Sequence, residues 1–299
     1  MSEGSPEINP EVGDWDLKYY IFDWDDNILH MPTRIHLERR GPDGVWRPVA
    51  VTTSVFSLVR NDRENYRPPD GDWESSFREF RDFAELEEST FLRDTRAALE
   101  PIRSGREQGA PSFFRFKKAL VEGRLFAIVT ARGHGPESIR AGVQYFIDEM
   151  LSAEERKTML SNLRGFLAEF DELHVAETDD EVITYYLDLN RYHGVTSPQF
   201  MEAMQKKTNA ENTEEAKQIA IKDFVHHVIS ILKRAGVDKP ISFGFSDDDP
   251  GNVEAVESYI AERLGDEFPG VKFVVYDTSD PDMPQGRKVV VRGQQDLGL

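Results

Sequence analysis

The sequence contains no cysteine, has few basic residues for its length and lacks any long apolar run. Without cysteine the chain can form no disulfide or thiolate zinc site, and it has no cysteine nucleophile. Only 36 of the 299 residues are Lys or Arg, against 55 Asp and Glu, which gives a formal net charge of −19. This charge argues against a nucleic-acid backbone or an anionic membrane as the main partner, because both would be repelled.

Signals for export or membrane insertion are also missing. The first 16 residues are acidic, without the basic start and apolar segment of a signal peptide. The longest apolar stretches have the length of a strand, well short of the ~20 residues that cross a bilayer. Hydrophobic residues nevertheless make up 39% of the chain, which is enough for a substantial core. We therefore expect a cytoplasmic protein without membrane contact, with a flexible leader over residues 1–16.

What the sequence does contain is a regular alternation of strand and helix patterns. Strand patterns cover 18–26 (ending in three acids), 124–130, 181–189, 239–246 and 271–278, and helix patterns cover 111–123, 136–151, 153–170, 213–236 and 251–265. Strands separated by helices predict an α/β fold, a Rossmann-like parallel sheet with helices on both faces. This core is expected to comprise residues 17–29 and 110–278.

The segment 30–109 interrupts this alternation. Residues 33–51 alternate in polarity around GPDG and predict a hairpin, and 74–88 has the apolar spacing of an amphipathic helix. About a hundred residues between two strands are too many for a simple crossover, so we expect a cap or lid inserted after the first strand. Residues 279–299 are expected to form a C-terminal tail or an edge strand.

Two predicted strands end in clusters of aspartate. One cluster lies in FDWDDN at 22–27 and the other in FSDDDPGN at 245–252. Ligands of parallel α/β sheets bind beyond the carboxyl ends of the strands. Crowded carboxylates repel one another unless they share a cation, and Mg²⁺ prefers oxygen ligands. The clusters thus favour a cation site, although a single one could also be a solvated turn or a helix cap.

Three further side chains are candidates for binding a phosphate group. Thr130 ends a strand and is followed by exposed backbone amides, a combination that can bind a phosphate oxygen. Arg132 could bind the anion of a substrate or pair with the acidic surface. Lys222 precedes the second aspartate cluster and could hold a phosphoanion beside it, or be an ordinary surface lysine.

In chain order, these residues resemble the four motifs of the haloacid dehalogenase superfamily of Mg²⁺-dependent phosphohydrolases. The matching residues are FDWDDN at 22–27, IVTAR at 128–132, Lys222 and FSDDDPGN at 245–252. The resemblance covers roughly residues 17–29, 110–150 and 180–278 and leaves out 30–109. The sequence departs from the family where Asn27 replaces the usual Thr or Val, and where the fourth motif offers three adjacent aspartates.

The resemblance implies a role for each matching residue. Asp23 would attack phosphorus and form an aspartyl-phosphate, and Asp25 would act as general acid and then general base. Thr130 and Lys222 would hold the phosphoryl oxygens, and Arg132 and Asn27 are candidate substrate-binding residues.

The resemblance also implies Mg²⁺ as the cofactor. Its ligands would come from Asp23, from the backbone carbonyl of Asp25 and from Asp247 or Asp248. Asp249, next to a proline, is better suited to cap the following helix.

The expected function is therefore hydrolysis of a phosphomonoester, with a phosphorylated small molecule as substrate. Two alternatives stay open. The chain could be a catalytically inactive scaffold that binds a partner through 30–109, or a phosphotransferase that uses an acceptor other than water. A response-regulator receiver, which also uses aspartates, Thr and Lys, does not fit, because its acid clusters come in a different order.

Overall fold

The computed structural model describes residues 17–82, 88–170, 176–205, 213–237, 239–280, 282–283 and 286–292. The predicted leader, 1–16, lies outside these ranges, as do residues 293–299 of the predicted tail.

The strands form a six-stranded and a three-stranded sheet. In chain order they are β1 Leu17–Phe22, β2 Ile35–Arg40, β3 Trp46–Val51, β4 Tyr66–Arg67, β5 Phe126–Thr130, β6 Arg191–Gly194, β7 Ile241–Asp247, β8 Val271–Asp277 and β9 Arg287–Arg292. The large sheet has the order β6-β5-β1-β7-β8-β9, and the small antiparallel sheet has the order β3-β2-β4.

Helices connect the strands of the large sheet. They are α1 Thr53–Val59, α2 Trp73–Ser76, α3 Thr90–Arg103, α4 Phe113–Val121, α5 Pro136–Met150, α6 Ala153–Phe170, α7 Asp179–Leu189, α8 Pro198–Gln205, α9 Thr213–Arg234, α10 Pro250–Tyr259 and α11 Gly265–Glu267. A π-helical turn, Ile260–Leu264, joins the last two.

All neighbouring strands of the large sheet are parallel except β8 and β9. The α/β class and the mostly parallel sheet flanked by helices are thus confirmed. The strand order reverses at β1, because the chain leaves β1 for β5 and β6 on one side and later returns to β7 on the other. Such a switch point leaves a crevice at the carboxyl end of the central strand.

Apolar clusters cover the two faces of this sheet. Because side chains alternate along β1, Phe22 joins the cluster that holds Phe116 of α4. Ile21 joins the opposite cluster, with Phe224 of α9. Each such side chain stabilises the fold by about 1.5–3 kcal/mol when fully buried. The two clusters fix β1, and hence the residues that follow it, from both sides.

The strand predicted over 181–189 is wrong, because these residues form helix α7. The helix starts at a capping box, in which Thr178 accepts a hydrogen bond from the Glu181 backbone amide and the Glu181 side chain accepts one from that of Thr178. This reciprocal capping satisfies two backbone donors and favours a helix over the strand suggested by the aromatic and β-branched residues. The strand of this part of the chain is the shorter β6.

The single helix predicted over 74–88 is also wrong in its described part. Helix α2 ends at Ser76, a 3₁₀ turn follows at Arg78–Phe80, and 83–87 lie outside the described residues. The apolar residues of this stretch instead join a small cluster against the three-stranded sheet. In this cluster Phe77 and Phe80 pack near Ile35.

The structure decides two further expectations, one for the hairpin and one for the C-terminal segment. The hairpin predicted within 33–51 is confirmed as the antiparallel pair of β2 and β3. The segment after 278 contains an edge strand, β9, paired with β8. Among the described helices, none has the length and apolarity needed to cross a bilayer.

Candidate functional site

The carboxyl ends of β1 and β7 bring Asp23, Asp247 and Lys217 together. Asp23 follows β1 directly, Asp247 ends β7, and all three side chains are buried. The Lys217 ammonium donates to Asp23 Oδ1 over 3.0 Å and to Asp247 Oδ2 over 2.8 Å. One lysine thus bridges two acidic side chains from adjacent parallel strands.

Burial and neighbouring charges perturb the ionisation of this group. Burial raises the pKa of Asp23 to about 8, and repulsion by Asp247 and Asp25 acts in the same direction, while Lys217 acts against it. Burial opposes the charge of Lys217, but attraction by the two carboxylates outweighs it and raises the pKa of the ammonium. Lys217 is therefore a permanent cation at neutral pH.

Asp248 adds another carboxyl to the same place. Burial raises its pKa to about 9, and repulsion by Asp23 and Asp247 adds to this effect. A carboxyl that is held neutral by its surroundings becomes a carboxylate once a cation compensates the charge. The centre is therefore short of positive charge. Asp249 is exposed and caps α10 by accepting from the backbone amides of Gly251 and Asn252, as the sequence predicted.

Asp25 and Thr130 meet beside this group, across the crevice between β1 and β5. Thr130 Oγ1 donates to Asp25 Oδ2 over 3.2 Å. Arg132 donates to the same carboxylate through Nε at 2.8 and 3.0 Å and through Nη2 at 2.6 Å. In this arrangement Asp25 is held by a two-pronged ion pair, the strongest geometry available to an arginine.

Arg132 itself is enclosed by residues of the 30–109 segment and is only 1% exposed. Its Nη2 donates to Thr33 Oγ1 over 2.6 Å, and its guanidinium lies 4.6 Å from the ring centre of Phe80 and 5.6 Å from that of Phe91. The buried Nη1 has no hydrogen-bond partner among the described residues. The expected direct contact of Arg132 with substrate is therefore revised, since its guanidinium holds Asp25 and does not face solvent.

Asn27 is fully buried and links the ends of β1 and β7. Its amide donates to the backbone carbonyls of Asp23 and Ser246, each over 3.0 Å. Its carbonyl oxygen accepts from Ser246 Oγ at 3.1 Å and from Thr278 Oγ1 at 2.9 Å. The donors and the acceptor of the Asn27 side chain are thus all engaged inside the protein. Asn27 therefore positions the loop after β1, and the substrate contact expected from the sequence is revised to this role.

Lys222 does not join the centre. It lies on α9 with 41% of its side chain exposed and donates to Glu267 over 2.7 Å. Five residues turn a helix by about 140°, so Lys222 and Lys217 point in different directions. The lysine of the candidate site is therefore Lys217, and the assignment of Lys222 is corrected.

A sequence signal for Lys217 exists in the pattern of α9. Lys217 is followed at helical spacing by Ala220, Ile221 and Phe224, all buried. A lysine within the apolar stripe of a helix must find a buried partner, whereas Lys222 falls outside that stripe.

The chemistry of the donors fits Mg²⁺. Asp23, Asp248 and the backbone carbonyl of Asp25 offer only oxygen atoms as ligands. Among the described residues, no group of three or more His, Cys, Asp or Glu side chains converges so that it could hold a metal. Since Mg²⁺ is commonly bound by one or two carboxylates and several waters, two carboxylates meet its requirement.

Comparisons with family models, curated proteins and solved structures found no match to this chain.

Proposed function

We propose that the protein is a Mg²⁺-dependent phosphomonoester hydrolase that forms an aspartyl-phosphate on Asp23 and acts on a phosphorylated small molecule. The observation that carries this proposal is the bridge of Lys217 between Asp23 and Asp247 at the topological switch point of the sheet. Burying two carboxylates and a lysine is costly, and hydrophobic residues of similar volume would stabilise a fold as well or better. A catalytic role would explain why these three charged side chains are buried together.

The first step is the attack of an Asp23 carboxylate oxygen on phosphorus. The new O–P bond replaces the ester bond, and the leaving oxygen takes a proton from Asp25. In the second step Asp25 removes a proton from water, the water oxygen bonds to phosphorus, and the bond to Asp23 breaks to release phosphate. Lys217 stabilises charge on the transferring group, and Thr130 orients Asp25 through its hydrogen bond.

Mg²⁺ would be held by Asp23, Asp248 and the backbone carbonyl of Asp25, and it would compensate the charge of the phosphate approached by a carboxylate. Asp247, which engages Lys217, is less available than Asp248. The raised pKa of Asp248 supports this choice, because its carboxyl has the most to gain from a cation.

We further propose that residues 30–109 form a cap over this centre. Thr53, at the start of α1, donates to Asp26 over 2.7 Å. The backbone amide of Gly133 donates to the carbonyl of Phe80 over 2.8 Å. The segment therefore contacts the loops after both β1 and β5, which favours a small substrate.

The ion pair of Arg132 with Asp25 favours one alternative, a catalytically inactive scaffold. Asp25 accepts three hydrogen bonds from the guanidinium, so proton transfer with substrate requires one oxygen of Asp25 to leave Arg132 while the other stays held. A scaffold that binds a partner through 30–109 would need no such change.

Phosphate release from p-nitrophenyl phosphate and a panel of phosphomonoesters distinguishes these functions. We expect release that requires Mg²⁺, stops with EDTA, and is lost in Asp23→Asn while Asp249→Asn, a cap outside the centre, retains it. Release by Asp23→Asn at the wild-type rate would contradict the nucleophile assignment. Absence of release from every ester, together with no Mg²⁺ binding by calorimetry, would favour the scaffold.

A further inference from the structure

One face of the large sheet carries a basic cavity. Along β1, β7 and β8, residues with even numbers point to this face, while Tyr19, Phe243 and Phe273 point to the opposite one, where α9 and α10 pack. The cavity has a volume of about 320 Å³. Its lining includes Lys18, Tyr20, Lys272, Val274, Tyr276 and Lys288.

The strand register aligns three lysines around this cavity. Lys18 of β1 and Lys272 of β8 both pair with Ser242, one from each side, and Lys288 of β9 pairs with Tyr276. Lys18 and Lys288 are exposed and Lys272 is half-buried. Within the described ranges, none of the three has a carboxylate at ion-pair distance. In a chain with a net charge of −19, three uncompensated lysines in one place form a local site for an anion.

Two tyrosines form the walls of the same cavity. A Cβ placed on Gly244 would lie 2.9 Å from a ring carbon of Tyr276 and 3.1 Å from one of Tyr20, so both rings converge over a strand position without a side chain. Burial raises the pKa of Tyr20 to about 12 and that of Tyr276 above its usual value, so both hydroxyls are protonated donors at neutral pH. The floor beside them is apolar at Val274.

The volume of the cavity and the chemistry of its lining indicate which ligand it binds. The cavity lies at the lower end of the range for small-molecule sites, roughly 300–1,000 Å³. A docked acidic peptide would need a contact surface of about 1,000 Å² or more. Lysines bind phosphate as point charges, and tyrosine rings pack against flat rings. We propose that this lysine–tyrosine face binds a nucleoside diphosphate, with the base packed against the rings of Tyr20 and Tyr276 and the phosphates between the lysines.

This proposal is independent of phosphate hydrolysis, so binding is measured without turnover. Isothermal titration calorimetry with ADP is run in EDTA, which removes the cation that would favour binding at the aspartates. We expect ADP to bind with a dissociation constant below 1 mM, with pyrophosphate and adenosine each at least about tenfold weaker, a difference of about 1.4 kcal/mol.

Three lysine variants locate the binding. Lys18→Gln/Lys272→Gln is expected to weaken ADP at least about tenfold. Lys222→Gln is the matched control, since this exposed lysine lies on α9, on the opposite side of the sheet. Lys288→Gln, at an exposed position, supplies a second variant should the double variant melt early.

Several results would overturn the proposal. These are no heat with ADP at 1 mM, equal affinity for pyrophosphate or for adenosine, equal weakening by Lys222→Gln, or loss of ADP binding in Asp23→Asn. The last result would place the ligand at the aspartates. Phosphatase activity retained in Lys18→Gln/Lys272→Gln would show that the two sites act separately, and its loss would overturn that separation.

Discussion

Lys217 and Lys222 lie five residues apart on the same helix, but only Lys217 reaches the aspartates. The Lys217 side chain is 3% exposed and bridges Asp23 and Asp247, whereas that of Lys222 is 41% exposed and contacts Glu267. The two lysines therefore form a natural pair for testing what a buried cation contributes to the proposed reaction.

Lys217→Met is expected to lower kcat for phosphate release by about 10²–10³ or more, because it removes a cation aimed at the transferring group. Lys222→Met is expected to change kcat less than about twofold. Circular dichroism should show that both variants are folded. The reverse ranking of the two variants would restore Lys222 as the functional lysine.

Arg132→Gln is expected to lower kcat by about 10² and to leave KM nearly unchanged, because the guanidinium holds Asp25 and does not reach solvent. A direct contact with substrate would instead appear mainly as a rise in KM. Steady-state kinetics separates the two.

Thr33→Val is expected to reproduce part of the Arg132→Gln effect on kcat, since Thr33 accepts from Arg132 and donates to Asp94 over 2.6 Å. Thr33→Ser retains the hydroxyl and should restore kcat. Equal kcat values for the valine and serine variants would show that this contact of the 30–109 segment does not position Arg132.

Asn27→Ala is expected to lower the free energy of unfolding by about 2–4 kcal/mol, because it removes four buried hydrogen bonds, three of which join the loop after β1 to Ser246 and Thr278. Asn61→Ala, at an exposed position, is the control and should be close to neutral. Urea unfolding measures both. A loss below about 0.5 kcal/mol in Asn27→Ala would contradict the linking role.

Acid should destabilise the protein through His134. Burial lowers the pKa of this fully buried imidazole to about 3, and the charge of Arg132 acts in the same direction. The unfolded chain binds a proton at His134 below about pH 6.5 and the folded chain does not, so stability falls as pH decreases from 6.5 toward 3. By pH 4.5 this one group accounts for about 2–3 kcal/mol.

His134→Gln measures that contribution. Glutamine can still reach the Thr90 hydroxyl, which lies 2.7 Å from the imidazole Nε2, but it does not titrate. The difference in unfolding free energy between wild type and His134→Gln should therefore shift in favour of the variant as pH falls from 7 to 4.5. A difference that is constant over this range would show that His134 is accessible to protons in the folded state.

Local patterns in the sequence predicted most of the large sheet, because apolar strands and amphipathic helices leave periodic signals. The exception at 181–189 has a local cause as well: the T-x-x-E signal of the capping box, from Thr178 to Glu181, outweighs β propensity. In the 30–109 segment, the helices and strands are short and pack on a small sheet. Such short elements leave no extended hydrophobic periodicity in the sequence from which they could be predicted.

The aspartates of the candidate site were also predicted from the sequence, since they follow recognisable strands. The roles of Asn27 and Arg132 were not. The partners of Asn27 are 219 and 251 residues away at Ser246 and Thr278, and Arg132 meets Thr33 at a separation of 99. Such contacts depend on the tertiary structure, and no spacing along the chain encodes them.

The position of β1 in the sheet has a consequence during synthesis on the ribosome. This strand is the first of the large sheet to be made, yet it lies at its centre, between β5 and β7. A nascent chain that has not yet reached Ile241 therefore leaves one edge of an apolar strand unpaired, a form that associates readily with other chains. The apolar edge of β1 therefore stays open to other chains until β7 has been synthesised.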